Sequence, residues 1–86
     1  MDDFERAHAS FQRALDIKKR DFGENSEDVA YIYEGIAMVY TKQLDYKNAL
    51  TYLNKALAII KVKQGENSTH IKALKEYIKS LKENME

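Results

Sequence analysis

Apolar residues recur along this chain at intervals of three and four positions, which is the spacing of one face of an α-helix. Short polar segments separate the stretches that carry this pattern. Segments of this kind end one helix and begin the next. The pattern therefore predicts an all-α protein with four helices, at about residues 3–21, 27–43, 47–63 and 69–84.

The second and fourth predicted helices differ in how much of their surface is apolar. Around the second helix, apolar residues from Val29 to Tyr40 cover more than half of the circumference, which is typical of a helix packed on two sides. The fourth helix has one apolar stripe, and lysines and glutamates cover the rest of it. The stripe consists of Ile71, Leu74, Ile78 and Leu81. We expect the second helix to be internal and the fourth to close a stack, because a helical array needs a polar-backed terminal helix to stay soluble.

The tetrapeptide Gly-Glu-Asn-Ser occurs twice, at Gly23 to Ser26 and at Gly65 to Ser68, so the copies are 42 positions apart. Glycine readily adopts the left-handed conformation that ends a helix. The serine that follows can cap the next helix by accepting a hydrogen bond from one of its free N–H groups. The same capping role is predicted for the aspartates before the first and third helices, which are Asp2 or Asp3, and Asp45.

The similarity between the two copies extends beyond this loop. When the sequence is aligned with itself at an offset of 42 residues, 12 of the 44 overlapping positions are identical. Many of the identities fall on small and apolar positions, and self-similarity at such a period marks a stacked repeat architecture. We predict a single domain in which residues 1–26 are the second half of a repeat, residues 27–68 a complete repeat and residues 69–86 a terminal capping helix.

These features resemble the tetratricopeptide repeat, in the 42-residue variety of the kinesin light chain type. The resemblance rests on the spacing of aromatic, small and aliphatic residues in both helices of the complete repeat. These residues are Tyr33, Ile36, Ala37 and Tyr40, followed by Tyr46, Ala49, Leu50, Leu53, Ala56 and Leu57. Three positions depart from the family pattern, since Glu27 and Thr69 stand where a proline is usual and Leu44 where a glycine is frequent.

The resemblance implies a non-catalytic scaffold or adaptor module that binds a peptide or helix of a partner protein in a concave groove. The matching positions in this sequence hold Tyr31, Glu34, Gly35, Met38, Ala73, Glu76, Tyr77 and Ser80. Relatives that grip extended peptides carry asparagines or basic residues there, so a carboxylate clamp is not predicted. The charged residues of this set are both glutamates, and we therefore expect a basic or amphipathic partner segment. Gly35 interrupts a helix either for close packing or for the approach of a ligand's backbone.

A second hypothesis places the binding surface on the first helix. That helix has an apolar stripe and no preceding helix to cover it, and an uncovered stripe of this kind marks an interface. The stripe, named here the α1 face, consists of Phe4, Ala7, Phe11, Ala14 and Phe22. The chain would then be a structural assembly subunit that docks or forms a homo-oligomer through this helix, or a piece of a longer repeat array.

Composition narrows the classes of partner and the cellular location. The 86 residues include 14 basic and 14 acidic side chains, so no net charge draws the chain to nucleic acid or to an anionic membrane. No apolar run approaches the roughly 20 residues that cross a bilayer. The acidic start lacks the apolar segment of a signal peptide, and no cysteine is present. We expect a cytoplasmic protein that binds neither nucleic acid nor membrane.

The sequence contains no constellation that predicts catalysis. His8 and His70 are the two histidines, and neither has partners at the spacing of a metal or catalytic site. The glycines form no phosphate-binding pattern. We therefore predict no enzymatic activity, no metal site and no cofactor.

Overall fold

The computed structural model describes residues 3–85 and contains four α-helices over that range. They span Phe4–Phe22 (α1), Glu27–Lys42 (α2), Tyr46–Gln64 (α3) and Thr69–Met85 (α4). Each predicted boundary lies within one residue of the observed one, and the all-α prediction is confirmed. Residues 1, 2 and 86, which include the candidate cap Asp2 and the ends of the predicted domain, lie outside the described residues.

A side-chain cap starts every helix at the predicted residue. In each case the oxygen of an aspartate or serine accepts a hydrogen bond from the backbone N–H three residues later, which satisfies one of the free donors of the first turn. The caps are Asp3, Ser26, Asp45 and Ser68, with N···O distances of 3.0, 3.2, 3.2 and 3.1 Å.

The repeated loop ends α1 and α3 in the same way. Gly23 and Gly65 have φ values of 87° and 85°, a region that side chains disfavour. Their N–H groups donate to the carbonyls of Lys19 and Lys61, each at 2.9 Å. The prediction that this tetrapeptide joins a helix stop to a helix start is confirmed. The glycine conformation differs from the predicted one, because ψ values of 166° and 162° place Gly23 and Gly65 in the extended region at positive φ, which is essentially reserved for glycine, and not in the left-handed helical region.

The turn between α2 and α3 is tighter and carries the third positive φ. Leu44 has a φ of 63°, its N–H donates to the Thr41 carbonyl at 3.0 Å, and the next N–H, of Asp45, donates to the Tyr40 carbonyl at 2.9 Å. This pair of bonds is a Schellman motif, whose left-handed residue is usually glycine. Leu44 therefore occupies a strained position, where the family pattern often has a glycine.

The helices stack in chain order, with α2 between α1 and α3, and α3 between α2 and α4. Small residues let α2 and α3 approach closely: Ala30, Ala37, Ala49 and Ala56 are all completely buried. The largest completely buried side chains are Leu53, Ile60, Ile71 and Val29. Each contributes roughly 1.5–3 kcal/mol of hydrophobic stabilisation. The predicted antiparallel helix-pair solenoid, with an internal second helix, is confirmed.

The fourth helix, α4, buries its predicted apolar stripe against α3 and exposes a row of lysines. The row consists of Lys72, Lys75, Lys79 and Lys82. At an offset of one repeat, these lysines stand where α2 carries Ala30, Tyr33, Ala37 and Tyr40, the side on which it packs against α3. A helix that packed on this row would have to bury four charges, which is costly. Within residues 3–85, no helix is long and apolar enough to span a membrane.

Candidate functional site

The candidate groove lies on the side of α2 that faces away from the core, and α4 forms one of its walls. Ser26 and Ser68 cap these two helices and so fix where each begins. The two helices are equivalent halves of successive repeats, which is why residues of the same repeat positions line both. Side-chain pairs join α2 to α4 at two levels of the groove.

The first pair lies near the start of α4. The Glu34 carboxylate is 2.8 Å from Nε2 of His70, and both side chains are about three-quarters buried. Tyr31 stacks on the His70 ring with a centroid separation of 5.5 Å and an angle of 16° between the rings. Its hydroxyl donates to Glu27 at 3.4 Å. Glu34, Tyr31 and His70 therefore form one connected cluster across the groove.

The second pair lies two turns further along both helices. The hydroxyls of Thr41 and Tyr77 are 2.8 Å apart. Thr41 also donates to the Ala37 carbonyl at 2.8 Å, which uses its single hydroxyl hydrogen. Tyr77 is therefore the donor in the bond between the two hydroxyls. Tyr77 is half-buried, and its bond to Thr41 joins α4 to α2 at this end of the groove.

Met38 and Ala73 lie between the two pairs on their respective helices, as helical spacing requires. Met38 is 52% exposed and Tyr31, although it stacks on His70, is 49% exposed, so α2 presents two large, half-exposed side chains to the groove. Glu76 and Ser80 are exposed on α4 beyond Tyr77. Glu76 takes part in no salt bridge with the residues 3–85 that the structure describes.

Gly35 faces α1, away from the α4 wall. A Cβ placed on Gly35 would lie 2.6 Å from Cε1 of Phe11, so the aromatic ring occupies the space that a side chain would need. Beside this contact lies an open cavity of about 180 Å³, lined by Phe11, Gly35, Met38, Val39 and Lys42. Of the two explanations for a glycine inside this helix, close packing agrees with the geometry. Met38 lines this cavity and also belongs, with Tyr31, to the apolar strip of α2 that faces α4.

The α1 face is less open than its lack of a preceding helix suggests. Four of its residues are half-buried, and Phe22 is exposed. The half-buried residues are Phe4, Ala7, Phe11 and Ala14. Phe4 and Ala7 line a small cavity with Val39 and Lys42 of α2, so α2 covers one side of the stripe. The uncovered side includes Ile17, which is 41% exposed, whereas its repeat counterpart Ile59 is 7% exposed.

Sequence reasoning missed His70, Thr41 and Lys42 as groove residues, and it treated Glu34 as a free charge. The repeat itself contained a signal for two of these residues, His70 and Thr41. Both pairs that join α2 to α4 connect residues 36 positions apart, which is six fewer than the repeat length of 42. In a regular stack the same offset relates each first helix to the next, so a known stagger of the helices would have identified both pairs.

The described residues contain no group of three or more histidine, cysteine, aspartate or glutamate side chains close enough to hold a metal ion. His8, the other histidine, lies away from the groove, where it contacts the Gln43 side chain at 2.8 Å and the Tyr40 ring at a centroid distance of 4.3 Å. The arrangement is that of a surface with apolar and carboxylate groups.

Comparison with known proteins gave one family match. A family model described as a tetratricopeptide repeat matches residues 1–61, which include all of α1 and α2 and most of α3. A search of curated proteins gave no match.

Proposed function

Because the chain belongs to the tetratricopeptide repeat family, we propose that it is a non-catalytic module that binds a segment of a partner protein in the groove of α2 and α4. Repeats of this family generally act in protein–protein interaction. The observation that carries the proposal is the exposure of Met38 and Tyr31 on α2. Exposed large apolar side chains that lie together mark an interaction surface.

The proposed partner segment is amphipathic and carries at least one basic residue. Met38 and Tyr31 lie seven residues apart, hence on one face of α2, and they would receive the apolar side of the segment. Glu34 is already paired with His70, which leaves Glu76 as the carboxylate available to a basic side chain. The segment would therefore run from the apolar strip of α2 towards α4. This partner chemistry narrows the expectation from sequence, which counted both carboxylates as free.

Binding to a peptide array tests this proposal. The array contains amphipathic basic peptides, each beside a twin in which every lysine and arginine is replaced by glutamine. We expect Met38→Lys and Glu76→Lys each to weaken binding of the basic peptides about tenfold or more, while the glutamine twins bind poorly to every variant. Leu44→Lys and Glu5→Lys replace an exposed apolar and an exposed acidic side chain by lysine outside the groove and serve as controls. Equal loss in the controls and the groove variants would contradict the proposal.

A second candidate function, assembly through α1, is favoured by the exposure of Ile17. Its repeat counterpart Ile59, on α3, is buried because the preceding helix α2 packs against α3. No helix precedes α1 within residues 3–85, so that side of α1 has no equivalent cover. We infer that a helix of a longer parent chain, or of another protein, covers this side of α1. The lysine row of α4 makes the end of a second copy a poor occupant, since docking would bury its charges.

Sedimentation of the 10.0 kDa chain over a wide concentration range separates these cases. We expect a monomer whose thermal midpoint does not rise with concentration. A stable dimer that Ile17→Lys dissociates would favour self-association through α1 instead. The cytoplasmic location and the kinesin light chain-like subtype stay predictions from composition and repeat length.

A further inference from the structure

A second cleft opens on the side of α2 opposite the groove, where α1 and α3 diverge. Tyr33 of α2 forms its floor and is 8% exposed. One cavity of the cleft has a volume of about 230 Å³. Its lining consists of Lys19, Glu24, Asn25, Tyr33, Lys55, Ala58 and Ile59. The cleft thus has walls from two helices that do not pack against each other, and the groove residues take no part in it.

Two lysines, one from α1 and one from α3, lie near the Tyr33 ring and line this cavity. Nζ of Lys19 is 6.0 Å from the centroid of the Tyr33 ring, and Nζ of Lys55 is 5.6 Å from the same centroid. Lys55 also lies 5.1 Å from the centroid of Tyr52, so cation–π contacts with two rings hold its ammonium in place. Neither lysine forms a salt bridge with any residue from 3 to 85. Because Glu24 is the single carboxylate of the lining, the cavity carries a net positive charge.

Tyrosine rings continue the cleft along α2. Tyr33 and Tyr40 both contact Tyr52, with centroid separations of 5.8 Å in each case. The hydroxyls of these three tyrosines have no hydrogen-bond partner among the described residues, and no unpartnered side-chain oxygen there is buried. The hydroxyls therefore reach solvent and are free to donate to a ligand.

The other end of the cleft is apolar. A second cavity of about 250 Å³ shares Asn25, Ala58 and Ile59 with the first, and Val62 and Lys63 complete its lining. Val62 is 84% exposed. A ligand that lies along the cleft would meet two ammonium groups over an aromatic floor and then an uncovered aliphatic surface.

We propose that this cleft binds an acidic segment of a partner protein, with a carboxylate between Lys19 and Lys55 and a neighbouring apolar side chain against Ile59 and Val62. Charge complementarity selects the carboxylate, because both lysines line the same cavity and neither has a salt-bridge partner among residues 3–85. The adjoining aliphatic surface selects an apolar neighbour over a second charge. Glu24 and the zero net charge of the chain disfavour a polyanion such as nucleic acid. This site prefers the opposite charge to that of the groove, so one chain would join two different partner segments.

NMR titration of the intact chain with a capped peptide that alternates leucine and glutamate tests the proposal. A twin peptide with glutamine at every glutamate is the ligand control. We expect the glutamate peptide to shift the amide signals of Lys19, Lys55 and Val62, and the twin to bind about tenfold more weakly or worse. Lys19→Gln and Lys55→Gln should each lower the affinity several-fold. Lys72→Gln, which removes the same charge from the exposed row of α4, should leave it unchanged.

The proposal would be overturned by shifts confined to the groove of α2 and α4, by equal loss of affinity in Lys55→Gln and Lys72→Gln, or by no shift at millimolar peptide. A single-stranded oligonucleotide that displaces the peptide at equal concentration would also count against it, since it would point to general anion binding. Thermal melts of the variants show whether losing a cation–π contact has unfolded the cleft. A folded Lys55→Gln variant that binds as well as the parent contradicts the assignment outright. Because the groove variants leave the cleft untouched, failure here is distinct from failure of the proposed function.

Discussion

The ring of Phe11 in α1 lies against Gly35 in α2 so closely that a Cβ on the glycine would be 2.6 Å from Cε1 and 2.7 Å from Cζ of the ring. Real Cβ atoms essentially never approach a neighbour this closely. The glycine thus lets an aromatic side chain of one repeat press against the backbone of the next helix. The contact also sets the shape of the surface beside it, since both residues line the cavity that borders Met38.

Gly35→Ala should lower the free energy of unfolding by about 1 kcal/mol, although alanine is the better helix former. Helix propensity favours the alanine by about 1 kcal/mol. Moving the half-buried ring of Phe11 away from α2 costs about 1–3 kcal/mol, which is the larger effect. Urea unfolding followed by circular dichroism measures the difference.

A double-mutant cycle with Phe11→Leu gives the control for this prediction. Leucine has no ring to meet the new methyl group, so in that background Gly35→Ala should stabilise the protein by up to about 1 kcal/mol. The change of sign between the two backgrounds is the expected signature of the contact. If Gly35→Ala has the same effect in both, the glycine serves some purpose other than packing against Phe11.

The sequence predicted the helices and their order well because both depend on local pattern. Apolar spacing defined the helices, and the repeated Gly-Glu-Asn-Ser loop supplied a stop and a cap at the right places, as Gly23 and Ser26 show. Side-chain contacts between helices were not predictable in the same way. They depend on the stagger and rotation of helices, and so the pairing of Glu34 with His70, 36 residues away, was missed. The sequence marked Gly35 as unusual, but only the position of Phe11 distinguishes packing from ligand approach.

Leu44→Gly should stabilise the protein. The φ of 63° is a left-handed conformation, which costs a residue with a Cβ roughly 1–2 kcal/mol of conformational free energy. Glycine has no Cβ and avoids this cost. Glycine's greater freedom in the unfolded chain offsets part of this gain, which leaves about 0.5–1 kcal/mol. Because Leu44 is 72% exposed, little packing is lost. Thermal melts measure the gain.

Leu44→Ala is the matched control for this turn. It removes the same side-chain atoms but keeps a Cβ, so it should leave stability within about 0.5 kcal/mol of the parent. If alanine stabilises as much as glycine, the cause lies in the leucine side chain and the strain argument is wrong.

Ser68→Ala should loosen the first turn of α4 and with it the groove. The Ser68 hydroxyl accepts the Ile71 N–H at 3.1 Å, and losing such a cap costs about 1 kcal/mol. His70 lies within that turn, so its contact with Glu34 should weaken together with the cap. Hydrogen exchange should show faster exchange of the Ile71 amide.

Ser26→Ala removes the equivalent cap of α2 and is the control for this effect. Its cost in stability should be similar, since the Ser26 hydroxyl accepts the Val29 N–H at 3.2 Å. However, α2 is held between two helices and α4 is packed on one, so local opening without global unfolding should be confined to the Ser68 variant. Equal protection of the α4 amides in both variants would contradict this reasoning.

Tyr40 should make folding sensitive to alkaline pH. Burial raises the pKa of the Tyr40 hydroxyl above its ordinary value of 10.0, and the neighbouring Tyr52 hydroxyl and Asp45 carboxylate raise it further. The unfolded chain therefore releases this proton at a lower pH than the folded chain does. The contribution of Tyr40 is fully present below about pH 10 and is lost as the pH rises through the folded pKa.

Tyr40→Phe removes the ionisable group while keeping the ring that contacts His8 and Tyr52. Unfolding free energies measured in urea between about pH 8 and pH 11 should then fall less steeply above pH 10 than those of the parent, because phenylalanine has no proton to release. Tyr31→Phe removes one phenol from the groove and controls for the general loss of a hydroxyl. Parallel curves for the parent and Tyr40→Phe would mean that Tyr40 ionises equally easily in both states. In that case the packed rings of Tyr33, Tyr40 and Tyr52 would be more hydrated than their contacts indicate.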